Sequence, residues 1–88
     1  MKATVRINNK LGLHARASAK LSKAAGSFRC DVSLTRNGRR VNAKSIMGVM
    51  MLAAGAGAEV ELEINGEDEQ AAMKAISGLI EDKFGEGQ

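Results

Sequence analysis

The sequence predicts a two-layer α+β sandwich in which four strands make a sheet and helices pack on one face, in the order β-α-β-β-α-β-α. Three observations carry this reading. From Glu59 to Ile64 the apolar residues Val60, Leu62 and Ile64 alternate with Glu59, Glu61 and Glu63, so one strand face is dry and the other wet, as is common in antiparallel sheets. Asn37-Gly38 joins two short alternating runs and is the strongest short hairpin signal in the chain. Between and after these runs the apolar spacing changes to that of helices.

In chain order, Ala3 to Ile7 alternates apolar and polar residues and reads as the first strand. Asn8-Asn9-Lys10-Leu11-Gly12 reads as a loop, followed by a helix from near His14 to Gly26 with Ala17, Leu21 and Ala24 on its apolar side and Phe28 just beyond. Gly26 is its natural stop. Cys30, Val32 and Leu34 alternate with Asp31, Ser33 and Thr35 as the second strand, and Arg39 to Ala43 returns from the Asn37-Gly38 turn. Ser45 opens a short apolar helix from Ile46 to about Leu52, closed by a loop containing Gly55 and Gly57. After the Glu59–Ile64 strand, Asn65-Gly66 turns into a last helix. Its opening acids Glu67, Asp68 and Glu69 suit a positive helix start, and its core stripe is Ala72 or Met73, Ile76, Ile80 and Phe84.

Eighty-eight residues without linker, repeat or low-complexity tract imply one domain over 1–88 with a modest core, and function on the surface rather than in an enclosed cavity. The single cysteine, Cys30, excludes an internal disulfide and reads as a small buried apolar residue. No apolar run is long enough for a membrane span, and the N-terminus lacks the core of a signal peptide, so a cytoplasmic protein without membrane insertion is expected. The net charge of +3 raises nucleic acid as a partner, but two Phe and no Tyr or Trp leave no stacking platform. A mildly basic surface facing an acidic partner protein is the better reading.

The lone histidine, His14, stands in Gly12-Leu13-His14-Ala15-Arg16, where a loop becomes a helix. A helix start presents unpaired N–H groups and partial positive charge, an anion site to which Arg16 adds a guanidinium. A positive environment is expected to keep the imidazole neutral near neutral pH, with one ring nitrogen free as nucleophile. The backbone of Ala15 and Arg16 would then cradle a bound phosphoryl group. By composition alone, an ordinary surface or capping histidine is the commoner alternative. One His and one Cys far apart make no metal site, and no elbow motif supports a hydrolase. Ser45 reads as an N-cap and, beside Lys44 at a helix start, as a phosphorylation site. Ile46-Met47-Gly48-Val49-Met50-Met51-Leu52 is too apolar for a short helix to bury entirely. Some of Met47, Met50 and Met51 must face outward, as an adaptable docking patch or as incidental exposure.

Asn9-Lys10-Leu11-Gly12-Leu13-His14-Ala15-Arg16 resembles the active-site signature of the HPr family, the histidine-containing phosphocarriers of the bacterial phosphotransferase system. Lys44-Ser45-Ile46-Met47-Gly48-Val49-Met50 resembles that family's regulatory-serine signature, and the resemblance runs in order along the entire chain. It implies an open-faced sandwich, a four-stranded antiparallel sheet covered on one face by three helices. It also implies that His14 takes a phosphoryl group on Nδ1 from phosphorylated enzyme I and passes it to sugar-permease A domains or related regulators, without a cofactor and without being a turnover enzyme. Arg16 would bind the phosphate, Ser45 would be the target of HPr kinase/phosphorylase, and Ile46, Met47 and Met50 would dock partners. The family usually has proline where this chain has Ala17; alanine is a strong helix former, so the helix is expected to persist. A regulatory binding module that signals through its phosphorylation state is the alternative function, and nothing demands more than a monomer.

Overall fold

The computed structural model describes residues 1–86. Strands β1 (Lys2–Arg6), β2 (Asp31–Arg36), β3 (Arg39–Asn42) and β4 (Glu59–Asn65) form one antiparallel sheet in the order β1-β4-β2-β3. Helices α1 (Ala15–Gly26), α2 (Ile46–Met51) and α3 (Glu69–Glu81) cover its apolar face, and a 3₁₀ turn at Lys83–Gly85 follows α3. The expected open-faced sandwich and element order are therefore present.

Register explains the one-sided burial. Ala3 pairs with Leu62, Leu62 with Leu34 and Leu34 with Val41, so one row of apolar side chains crosses all four strands. The next residue along each strand points to solvent, where Glu61 stands between Thr4 and Thr35. Arg6–Glu59 and Arg40–Glu63 pair on that outer face at 3.2 and 3.6 Å; the first is an exposed contact worth about 0–1 kcal/mol, and in the second Glu63 is partly covered. At the hairpin, Asn37 and Gly38 take φ of 52° and 78°, the left-handed pair that a tight turn between twisted strands requires.

The core is built from Val60, Leu62 and Ile64 below and Ala17, Leu21, Val49, Ala72, Ile76 and Ile80 above, all buried. Several element edges differ from the sequence reading. β1 starts and ends one residue earlier than Ala3–Ile7, and Ile7 is buried just beyond it, donating to Ala58 O at 2.9 Å and accepting from Gly57 at 2.7 Å. On α1 the third buried apolar position is Ala25, one turn above Leu21, while Ala24 is half-buried. Gly26 ends that helix without a left-handed turn; the N–H and hydroxyl of Ser27 fold back onto Ala24 O instead. Cys30 is buried but lies just ahead of β2, with burial pushing its thiol up.

At the start of α3, Glu69 stands in the first turn as expected and Asp68 takes the N-cap position, but the Asp68 carboxylate is used elsewhere. The helix begins at Glu69, and Asp68 reaches back to accept the backbone N–H groups of Arg29 and Cys30 at 2.9 and 3.0 Å. Phe84 is not part of the α3 stripe. The helix stops at Glu81, and Lys83 and Phe84 adopt φ of 54° and 56°, a reversal that swings the ring into the core from a separate turn. No helix among the described residues is long and apolar enough to cross a membrane, and no cluster of metal-ligating side chains forms among them.

Those two N–H groups, Arg29's first, hold the Asp68 carboxyl below its ordinary value of 3.8. A carboxyl depressed in the folded state stabilises above its ordinary value, and that stabilisation is lost as pH falls through the depressed one. Asp68→Asn should therefore lower the urea midpoint at about pH 6, and the gap from wild type should close as the pH drops below about 3.8. An equal gap at both ends of a pH series of urea unfolding curves would remove the Asp68 charge from this account.

Candidate functional site

The loop between β1 and α1 is fastened before it reaches the histidine. Gly12 has φ +68°, and a Cβ there would fall 2.5 Å from Ala54 O and 2.6 Å from Gly55 Cα, so only glycine permits this approach. The approach lets Leu13 N–H reach Ala54 O at 2.8 Å and buries the Leu13 side chain. Asn9 is fully buried beneath the loop and donates from Nδ2 to Gly12 O at 2.8 Å. Ser18 adds a hydroxyl bond to Leu13 O at 3.0 Å.

His14 then occupies the N-cap position of α1 in extended conformation, φ −74° and ψ −179°, and its side chain makes no cap bond. The first backbone bond of the helix runs from Ser18 N–H to His14 O at 2.8 Å. Helix geometry leaves the N–H groups of Ala15, Arg16 and Ala17 without an intrahelical acceptor, and no acid sits in the first turn. Ala17 lies inside an unbroken helix and is fully buried, so its methyl serves the core.

The His14 ring is about a quarter exposed, with Nε2 2.6 Å from Glu86 Oε2. The other carboxylate oxygen of Glu86 accepts from Asn9 Nδ2 at 3.0 Å. Nδ1 has no hydrogen-bond partner among the described residues. Lys10, Leu11, His14, Arg16, Lys20 and Glu86, with the backbone of Ala15 and Gly85, line one open depression of about 670 Å³. The Arg16 guanidinium makes no hydrogen bond or ion pair among the described residues, and Lys20 Nζ donates to Phe84 O at 2.6 Å. Asn9, opposed by partial burial and followed by His14 and Lys20, holds the Glu86 carboxyl below its ordinary value of 4.5. The positive groups expected around His14 are there, and a carboxylate from the far end of the chain lies against the ring as well.

The structure brings His14, Ala15 and Arg16 together and keeps Ser45 apart from them. Ser45 caps α2, its Oγ accepting from Gly48 N–H at 3.1 Å, beside the end of α1, where Lys44 Nζ donates to Phe28 O. The opposite end of α2 leads to Ala54, which holds Leu13, so the length of α2 separates the serine from the histidine. Ile46, Met47, Met50 and Met51 are all exposed while Val49 alone of the helix is buried, which makes one continuous apolar outer surface. Leu11 is 67% exposed beside His14 and extends apolar surface into the depression. Leu11 was readable as the one apolar residue in a polar loop. Asn9 had a place in the motif but no role, and Glu86 left no signal, because nothing in local spacing points across 72 residues.

A family model described as "PTS HPr component phosphorylation site" matches residues 1–82. The phosphocarrier protein HPr of Cupriavidus necator is 65% identical over 82 residues, covering 93% of this chain and 92% of that protein. The HPr of Neisseria meningitidis serogroup A is 53% identical over 88 residues, covering 100% and 99%. Among solved structures, a crystal structure of HPr from Thermoanaerobacter tengcongensis superposes with a TM-score of 0.94 at 44% identity, covering 98% of this chain and 97% of that one.

The Gly12 contact generates a direct test of how the loop is held. Gly12→Ala combines a left-handed φ with a clash against rigid backbone, so it should cost about 2–4 kcal/mol in urea unfolding. A cost below about 0.5 kcal/mol would mean that the loop is free to move away from Ala54.

Proposed function

The chain belongs to the HPr family, the phosphocarriers of the phosphotransferase system, and on that premise we propose that His14 is the residue that takes up the phosphoryl group and hands it on. The family carries a group between proteins rather than turning over a substrate. The observation that supports His14 is its place: the single histidine of the chain stands at the N-cap of α1, beside Arg16, with one ring nitrogen unengaged among the described residues and an open depression before it.

In this reading the Nδ1 lone pair attacks phosphorus in line. A P–N bond forms as the bond to the donor breaks, and that bonding pair stays on the donor. The free N–H groups of Ala15 and Arg16 and the Arg16 guanidinium meet the three phosphoryl oxygens, whose charge spreads in a loose transition state. Because a helix start favours anions by only about 0.3–1 kcal/mol at the surface, it holds the group without trapping it. The donor is phosphorylated enzyme I, charged by phosphoenolpyruvate, and the acceptors are sugar-permease A domains or related regulators in the cytoplasm. Ile46, Met47 and Met50 dock these partners, and the chain acts as a monomer without cofactor.

Ser45 is the regulatory position, the target of HPr kinase/phosphorylase. It is exposed, and its hydroxyl already accepts a first-turn N–H, so a phosphate there gains the same helix-start donors. The added dianion sits at the edge of the methionine surface and repels an acidic partner across a close interface, within the ~8 Å screening length of physiological salt.

Incubation with phosphoenolpyruvate, magnesium and enzyme I, followed by intact mass and acid treatment, tests this. Wild type should gain one acid-labile phosphate and His14→Ala none; a phosphate that survives acid, or appears on the variant, would move the site elsewhere. Arg16→Ala should slow uptake by about tenfold to a hundredfold. Ser45→Asp should slow it by about tenfold or more, and an unchanged rate with enzyme I would end the regulatory part of the account.

A further inference from the structure

The carboxylate on the histidine is held too deliberately to be an incidental surface contact. Three successive residues, Lys83, Phe84 and Gly85, have φ of 54°, 56° and 74°, a left-handed run that costs energy at the two residues with side chains. That run is fastened on both sides. The Phe84 ring is buried in the core, and its carbonyl accepts Lys20 Nζ at 2.6 Å. The outcome is to deliver Glu86 to the ring, where one oxygen meets His14 Nε2 at 2.6 Å and the other meets the fully buried Asn9 at 3.0 Å. Asn9 is in turn fixed by Gly12 O, so a relay runs from a buried amide through a carboxylate to the imidazole.

We propose that Glu86, steadied by Asn9, is the positioning residue of His14, keeping the ring proton on Nε2 so that Nδ1 presents its lone pair to phosphorus. The inference rests on His14 being the phosphoryl acceptor. An ionised carboxylate only accepts hydrogen bonds, so the nitrogen facing Glu86 must be the one that carries the proton. The other charged groups around the ring are Lys10, Arg16 and Lys20, which leaves Glu86 the one acid lining the depression among the described residues.

The charge balance of the step follows. Nδ1 gives its pair to phosphorus and the donor keeps the pair of the bond that breaks, so the ring becomes a phosphorylated imidazolium with Nε2–H intact. Glu86 then faces a full positive charge and strengthens its hydrogen bond as the reaction proceeds. On onward transfer the P–N pair returns to Nδ1 and the ring is neutral again. In neither direction must a proton be released to solvent or found there.

The test uses the full chain as wild type, Glu86→Gln and Glu86→Asp. Long-range ¹H–¹⁵N correlation reads the ring tautomer and the exchange of the Nε2 proton; single-turnover uptake from phosphorylated enzyme I reads transfer. Wild type should show an Nε2–H ring with a protected proton. In Glu86→Gln that proton should exchange at least about tenfold faster and the transfer rate constant should fall about tenfold, with the half-saturating donor concentration within about twofold. Glu86→Asp should recover part of both. Matching spectra and rates for wild type and Glu86→Gln would overturn the proposal, and so would a faster Glu86→Gln, which would make Glu86 a block instead. A wild type that takes up no phosphate would instead bring down the acceptor reading of His14 on which the proposal stands.

Discussion

The sheet collects its buried apolar side chains on one face only, and that constraint sets where everything else can go. With Val60, Leu62 and Ile64 all on one side of the central β4, the helices have a single apolar floor to share. Each of those side chains contributes on the order of 1.5–3 kcal/mol by burial, far more than any ion pair on the opposite face. Helices confined to one layer must start and stop at the sheet's ends, so their termini come to the surface beside the loops. The start of α1 therefore lies against the loop that follows α2, and Leu13–Ala54 becomes the joint between them.

That joint anchors the loop that carries His14. Asn9, Gly12, Leu13 and Ser18 fix the chain on either side of His14 through buried or close contacts, leaving the ring as the part that faces water. The open first turn of α1 is satisfied by nothing in its own sequence, since no acid stands there. Ala17 adds to this. A proline would have removed one of the free N–H groups of that turn, whereas alanine keeps the donor and fills the core with its methyl.

Most of the fold was legible because its signals are local. The β4 alternation, the Asn37-Gly38 turn and the Ser45 cap each depend on residues within a few positions of one another, and all three stand as read. Edges moved where tertiary contacts outweighed local pattern. Asp68 kept the N-cap position of α3 but turned its carboxylate to two N–H groups ahead of β2, and Phe84 entered the core from a reversed turn rather than as the next residue of a stripe. At the site, His14, Ala15 and Arg16 were legible because a helix start is a local object. Glu86 was not, because its meeting with the histidine is made by the packing of Phe84 and the reach of Lys20, neither of which has a period in the sequence.

The distribution of charge around His14 bears on how a carrier avoids becoming a trap. Lys10, Arg16 and Lys20 face the depression from the loop and from α1, and alone they would hold a dianion ever more tightly as it arrived. One of the three, Lys20, is held at the Phe84 carbonyl, and Glu86 sets a negative charge against the far nitrogen of the ring. Opposite charges lining one depression work against each other, so the Glu86 carboxylate offsets part of what a free cation supplies. In the proposed carrier role of His14, the phosphoryl group would thus meet enough positive charge to be oriented and too little to be kept, while the carboxylate would favour the ring form that both receives and releases it. The left-handed turn before Glu86 is the structural cost of that balance, and the burial of Phe84 is what the fold sets against it.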